Sequence, residues 1–330
     1  MRNPGVAYWL NNVPLRPNRR AVHAILRSCS PLLLVCALGS IAGSAEESQA
    51  WGSAVVRAAL AMPEARLLVV DFTSGKVLAS HRLKEAAGTL AFPGSTLKPL
   101  VLYQALAAGR WNGEQRVPCD GRLRVAGHTL ACSHPRAEPM DARAALAWSC
   151  NRYFAAVAAA MPPHQLRPLL AQTGLLGLTG LGEAELRRAG KDEARAEYRE
   201  PRSADELRLS VLGVEGIRVT PLELAAAYRW LGQQFALHPS AAATQVVAGG
   251  LEDSVNFGMA GAANVGGVRV AGKTGTASSQ MGGQTHGWFV GLAPADAPRV
   301  VIAIYLPAAR GADAARLAAS LLAASPLSKP

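Results

Sequence analysis

The stretch Gly267-Val268-Arg269-Val270-Ala271-Gly272-Lys273-Thr274-Gly275-Thr276-Ala277 has two readings. Its first eight residues match G-x-x-x-x-G-K-T, the loop that cradles nucleotide phosphates. Its last five suggest a strand edge that grips a peptide carboxylate. A phosphate loop needs a buried strand before it and a helix behind it, so that backbone N–H groups and the helix N-terminus face the phosphates. Here V-R-V-A alternates like a strand, and G-T-A-S-S-Q-M-G-G, which follows, cannot open a helix. The downstream apolar strand V-V-I-A-I-Y-L ends in proline rather than in an acid for magnesium. The nucleotide reading fails. On an edge strand, Lys273 supplies a cation, Thr274 and Thr276 supply hydroxyls, and Gly275 leaves room for a peptide to lie alongside.

Working outward, H-G-W-F-V-G-L-A and R-V-V-I-A-I-Y-L read as two further strands, and a helix over Ala312–Ala324 follows them. At the other end, a helix over Ala50–Met62 precedes R-L-L-V-V-D-F and V-L-A-S, two strands joined by the turn T-S-G-K. Between these ends, alanine- and leucine-rich helical patterns dominate. The charged stretch Glu183–Arg208 reads as a solvated loop or helix face. This is an α+β plan: a five-stranded antiparallel sheet built by both ends of the chain, flanked by N- and C-terminal helices, with an inserted, mostly helical lobe over about residues 92–250.

Residues 1–45 carry five arginines and no acid, and then the apolar run P-L-L-L-V-C-A-L-G-S-I-A-G. The run is short for a spanning helix, and Gly43 and Ala45 are small residues suited to cleavage, so the segment reads as a signal peptide, or as an uncleaved anchor. The formal charge of +11 falls to +6 without those arginines, a mild bias that suits an acidic polymer or membrane surface. No basic run with interleaved aromatics argues for nucleic acid. Cys119 and Cys132 bracket D-G-R-L-R-V-A-G-H-T-L-A, which reads as a hairpin; in an exported chain they are expected to form a disulfide. Cys150 reads as a small packed residue. His134 and His286 have no second ligand at metal spacing, so both read as structural, and no metal and no cofactor is expected.

Two motifs remain. In Pro93-Gly94-Ser95-Thr96-Leu97-Lys98 a helix is expected to begin at Ser95, with Lys98 one turn on and on the same face. Serine becomes a nucleophile once a base takes its proton, and lysine is such a base only where burial or a nearby cation lowers its pKa. Ser149-Cys150-Asn151 lies between helices of the inserted lobe. It reads either as an ordinary interhelical turn or as a proton-relay hydroxyl beside an amide that holds Lys98 and the substrate backbone.

Together, in this order, the motifs resemble those of the penicillin-binding proteins, specifically the transpeptidase domain. The likeness runs from about Leu67 to Pro307 and includes P-G-S-T-L-K-P-L, W-S-C-N-R-Y-F, G-I-R-V-T-P-L-E-L-A-A-A-Y, V-A-G-K-T-G-T-A and H-G-W-F-V-G-L-A-P. It implies a transpeptidase domain over residues 46–330 in which Ser95 is acylated by a D-Ala-D-Ala stem peptide of peptidoglycan, or by a β-lactam. Lys98 would be the base, Ser149 and Asn151 would assist, and Lys273, Thr274, Gly275 and Thr276 would hold the substrate. The resemblance also implies an exported protein of the periplasm or cell envelope, tethered to the membrane if the N-terminal segment stays on. About 285 residues beyond that segment leave room for one catalytic domain, so a glycosyltransferase or cell-wall scaffold partner is expected. Serine β-lactamases and D,D-carboxypeptidases share the three motifs and are the rival enzymes. Glu183-Ala184-Glu185-Leu186 looks like part of a β-lactamase motif, but Arg187 stands where an asparagine would follow. A non-catalytic sensor or scaffold that binds β-lactam or muropeptide is the rival of another class.

Overall fold

The computed structural model describes residues 31–135, 138–278 and 283–328, with backbone alone for 31–45. The expected targeting segment therefore lies outside the described residues, apart from the helical backbone of its last fifteen. Among the described residues, no helix is long and apolar enough to cross a membrane.

The chain begins with α1 (Pro31–Ala61), β1 (Arg66–Asp71), β2 (Val77–His81) and α2 (Leu83–Gly88). The lobe follows: α3 (Lys98–Ala107), the hairpin β3 (Arg122–Val125) and β4 (His128–Ala131), α4 (Ala142–Ala147), α5 (Asn151–Ala159), α6 (Leu166–Gln172) and α7 (Glu183–Arg188). It continues through β5 (Glu197–Tyr198), α8 (Ala204–Val211), β6 (Ile217–Arg218), α9 (Pro221–Leu237) and α10 (Ala242–Asn256). The chain then returns to the sheet with β7 (Ala271–Ser278), β8 (Thr285–Ala293), β9 (Val300–Leu306) and α11 (Gly311–Ala323).

The five strands of the main sheet are antiparallel and ordered β2-β1-β9-β8-β7, so the first and last parts of the chain share one sheet and β7 is an edge. Its central strands carry long apolar runs, Leu67–Val70 in β1 and Val300–Leu306 in β9, because both faces are covered. Leu67, Val69, Ile302 and Ile304 pack on one face against Trp51 and Val55 of α1 and Leu317 and Leu321 of α11. Leu68, Val70, Val301 and Ala303 point the other way, into the core shared with the lobe. The start of α9 is fixed by a capping box in which Thr220 and Glu223 each accept from the other's backbone N–H.

The lobe meets the sheet at the segment preceding α3. The Phe92 carbonyl accepts from Trp288 Nε1 at 2.9 Å and from His286 Nε2 at 2.8 Å. A carbonyl can only accept, so His286 carries its proton on Nε2, and burial pushes its pKa below the ordinary value despite that bond. Tyr228 of α9, buried, donates to the Thr96 carbonyl at 2.9 Å. Gly94 N–H donates to Gly213 O at 2.9 Å.

Gly213 is the tightest of these contacts. Its φ is +69°, and a Cβ there would lie 2.3 Å from the Gly94 carbonyl oxygen. Gly213→Ala is expected to destabilise the protein by about 2–4 kcal/mol, read as a lower urea midpoint with an unchanged slope.

Candidate active site

The expected nucleophile sits on a tighter turn than a helix start. Residues Gly94–Leu97 form a 3₁₀ turn, in which Lys98 N–H bonds to the Ser95 carbonyl, and α3 begins only at Lys98. The cause is local: Gly94 has φ +54°, and Thr96 Oγ1 donates to the Pro93 carbonyl at 2.8 Å. A 3₁₀ turn eclipses residues three apart, which aligns Lys98 with Ser95 more closely than an α-helix would.

Ser149-Cys150-Asn151 links α4 to α5 through a left-handed cap. Ser149 has φ +56°. The N–H of Ser149 bonds to Leu146 O at 3.2 Å and that of Cys150 to Ala145 O at 2.9 Å, the paired bonds of a Schellman cap with serine where glycine is usual. The turn presents three acceptors to one amine. Lys98 Nζ donates to Ser149 O at 2.8 Å, Ser149 Oγ at 3.3 Å and Asn151 Oδ1 at 2.7 Å, and lies 5.2 Å from the Phe154 ring centroid. No hydrogen bond joins it to Ser95; its three polar contacts are all with the turn. Asn151 Nδ2 in turn donates to Ala131 O at 2.8 Å, tying the turn to the end of β4.

Strand β7 brings the third motif. Thr274 and Thr276 face the same cleft as Ser95, Ser149 and Asn151, about 150 Å³ in volume, which Ala131, Ser133, Trp148 and Met259 complete. Thr276 Oγ1 accepts from Gly311 N–H at 2.9 Å, so its own proton stays available to a ligand. Gly275 serves a purpose other than the expected one. A Cβ there would lie 2.6 Å from the Pro93 carbonyl oxygen, so its missing side chain admits the nucleophile turn rather than a peptide. Lys273 is fully buried behind the cleft and donates to Thr274 O at 3.1 Å.

The two lysines are held below the usual lysine range for different reasons. Burial lowers Lys98 to about 8, with nearby Cys150 and Cys132 opposing the shift. Burial, and then the charge of Lys98, lower Lys273 well below its ordinary value. The depression of Lys98 thus comes from desolvation, the first of the two causes that could make a lysine a base. Among the described residues, no carboxylate lines the cleft. Glu183 is on α7, exposed and paired with Arg187.

The sequence model of the family described as "Penicillin binding protein transpeptidase domain" matches residues 66–325. The chain belongs to this family.

Solved structures agree in fold. The transpeptidase domain of Burkholderia pseudomallei penicillin-binding protein 3 superposes with a TM-score of 0.69 at 20% identity, covering 84% of this chain and 93% of that one. A peptidoglycan glycosyltransferase from Burkholderia ambifaria gives 0.69 at 21%, with the same coverage. The D,D-transpeptidase domain of a peptidoglycan glycosyltransferase from Eggerthella lenta gives 0.68 at 21%, covering 83% and 80%.

Within this transpeptidase fold the cysteines depart from expectation. Cys119 and Cys132 are free thiols rather than a disulfide, and Cys150 enters the same cluster. The neighbouring Cys150 thiol lowers the pKa of Cys132, and the same contact with burial raises that of Cys150. The expectation that His134 has no companion ligands also fails: its ring joins the three sulfurs. Sequence reading missed Ser133, Trp148 and Met259 as well. The first two adjoin recognised residues, Cys132 and Ser149, but Met259 carries no sequence signal. It is placed by Met259 N–H bonding to Ala147 O at 3.0 Å.

With Lys98 as base, the neutral amine is the competent form. Acylation by a penicillin is then expected to rise about tenfold per pH unit below about pH 8 and to level off above it, measured by stopped-flow labelling. Lys98→Arg, which stays protonated, should lower the rate by roughly 10²–10⁴-fold across the profile.

Proposed function

We propose that this protein is a serine D,D-transpeptidase acting on the D-Ala-D-Ala ends of peptidoglycan stem peptides. The observation that carries the reading is the fully buried Lys98, held by Ser149 and Asn151 beside a cleft that also holds Ser95, Thr274 and Thr276. Ser95 Oγ attacks the penultimate D-alanine carbonyl as its proton passes to neutral Lys98. The developing oxyanion takes hydrogen bonds from the backbone N–H groups of Ser95 and Thr276, a contribution of a few kcal/mol. Collapse breaks the peptide C–N bond, and the proton reaches the departing D-alanine amine by way of Ser149. An amine of a second stem peptide then displaces Ser95 from the ester. Thr274 and Thr276 hydroxyls and the charge of Lys273 hold the substrate carboxylate, and β-lactams acylate the same oxygen.

Membership of the family supports a substrate in the cell wall, and with that substrate residues 1–45 act as an export signal or an uncleaved tether and residues 46–330 as the catalytic domain. A glycosyltransferase or scaffold partner supplies glycan synthesis. Rapid hydrolysis of the acyl-enzyme, as in a β-lactamase, requires a base for the attacking water. That no carboxylate lines the cleft among the described residues favours a long-lived ester.

Incubation with a fluorescent penicillin, followed by intact mass, tests this. One adduct per chain is expected, persisting for many minutes and absent in Ser95→Ala, together with amine-dependent release of D-alanine from a stem-peptide mimic. Fast loss of the adduct with drug turnover would establish a β-lactamase. D-Alanine release by water alone would establish a carboxypeptidase, and an adduct without peptide turnover a sensor.

A further inference from the structure

Four side chains unused by the acyl transfer converge behind the wall of the cleft. The sulfurs of Cys119, Cys132 and Cys150 and a ring nitrogen of His134 all lie within 4.8 Å of one another. Cys119 precedes the hairpin β3–β4, Cys132 and His134 follow it, and Cys150 stands at the start of α5. Cys132 and Cys150 are buried, the other two partly so.

The histidine is oriented as a ligand. Its Nδ1 lies 2.7 Å from the Pro135 carbonyl oxygen and must donate to it, which leaves the lone pair on Nε2. That atom is buried and has no hydrogen-bond partner. A buried polar atom left so costs about 1–3 kcal/mol. Metal-bound imidazoles characteristically give their other N–H to a carbonyl in this way. One sulfur is prepared as well: Gly121 N–H donates to Cys119 Sγ at 3.4 Å.

We infer that Cys119, Cys132, His134 and Cys150 form a closed Cys₃His site for one zinc ion. Three thiolates and an imidazole are a zinc donor set, and four protein ligands leave no position for substrate, so the ion is structural. Zinc bonds of about 2.0–2.3 Å set tetrahedral ligand atoms roughly 3.3–3.8 Å apart, so no pair of the four atoms has to close by more than about 1.5 Å. Three S–H bonds break, three S–Zn bonds and one N–Zn bond form, and three protons leave to solvent. A disulfide between any two of the cysteines would strand the third sulfur and Nε2 in the same cluster; zinc accounts for all four atoms. Ser133 lies between Cys132 and His134, and Ser149 and Asn151 flank Cys150, and all three line the cleft. The ion therefore fastens the hairpin to the turn that holds Lys98, as a positioning element. This holds whether or not Ser95 is the nucleophile.

The test uses the full chain, expressed with its own N-terminal segment and purified without chelator. Elemental mass spectrometry is expected to find about one zinc per chain, with Cys119, Cys132 and Cys150 alkylated only after the metal is removed. Cobalt(II) exchanged into the site should give the intense visible bands and thiolate charge-transfer band of tetrahedral sulfur coordination. Cys119→Ser and His134→Ala should each weaken zinc retention by more than about tenfold. If either fails to fold, the cobalt spectrum of the unaltered chain still decides. Metal-free protein, whether with a disulfide among these cysteines or with all three thiols free, would overturn the inference, as would a weak octahedral cobalt spectrum.

Discussion

Two lysine side chains, Lys98 and Lys273, are buried without exposure in one site, and neither meets a carboxylate among the described residues. A buried ammonium without compensation costs several kcal/mol. Here the compensation is assembled from neutral oxygens: two from Ser149 and one from Asn151 for Lys98, and the Thr274 carbonyl for Lys273. This arrangement keeps Lys98 near neutrality in pKa, because a carboxylate partner would have raised it. It also requires three distant stretches of chain to arrive together, since no local segment supplies enough acceptors.

The sheet and the lobe are built to meet that requirement. The two ends of the chain form the sheet, and β8 sends His286 and Trp288 to one carbonyl, Phe92, just before the nucleophile turn. Tyr228 from the lobe grips Thr96 on the far side of the same turn. Ser95 is thereby held between elements separated by more than a hundred residues, with no hydrogen bond to its hydroxyl among the described residues. Gly275 completes the fit by letting the edge strand lie against Pro93. Strand β7, which carries Lys273–Thr276, stands at the end of the strand order and has no further strand beside it among the described residues.

Much of this was legible in the sequence, for particular reasons. Continuous apolar strands at both ends, the hairpin between Cys119 and Cys132, and the spacing Ser95-x-x-Lys98 are local patterns, and local patterns survive into the fold. What the sequence hid depends on distance. The bonding of Lys98 to a turn 51 and 53 residues away follows from packing alone, as does the meeting of Cys150 with the hairpin cysteines. Cys150 looked like a small filler because its neighbours in sequence are Ser149 and Asn151, whose roles drew the reading. Gly275 was read for the open side of its strand, whereas the contact that demands glycine lies on the closed side.

The position of Ser149 joins the catalytic and cysteine clusters into one argument. A serine in the left-handed region is strained by about 1–2 kcal/mol, and such strain persists only where the surroundings over-determine it. From the cleft, Lys98 draws the Ser149 carbonyl and hydroxyl together onto one amine. From behind, the next residue is Cys150, whose sulfur lies within 4.8 Å of that of Cys132 at the end of the hairpin, and the inferred zinc would tie the two together. Were the sulfurs unconstrained, relaxing the turn to a right-handed conformation would cost little and would swing both Ser149 oxygens off the amine. Lys98 would then lose two of its three acceptors. A zinc cross-link placed one residue from the strained serine would therefore put rigidity where it protects that geometry most directly, and would give a physical role to the hairpin, which forms a separate two-stranded sheet.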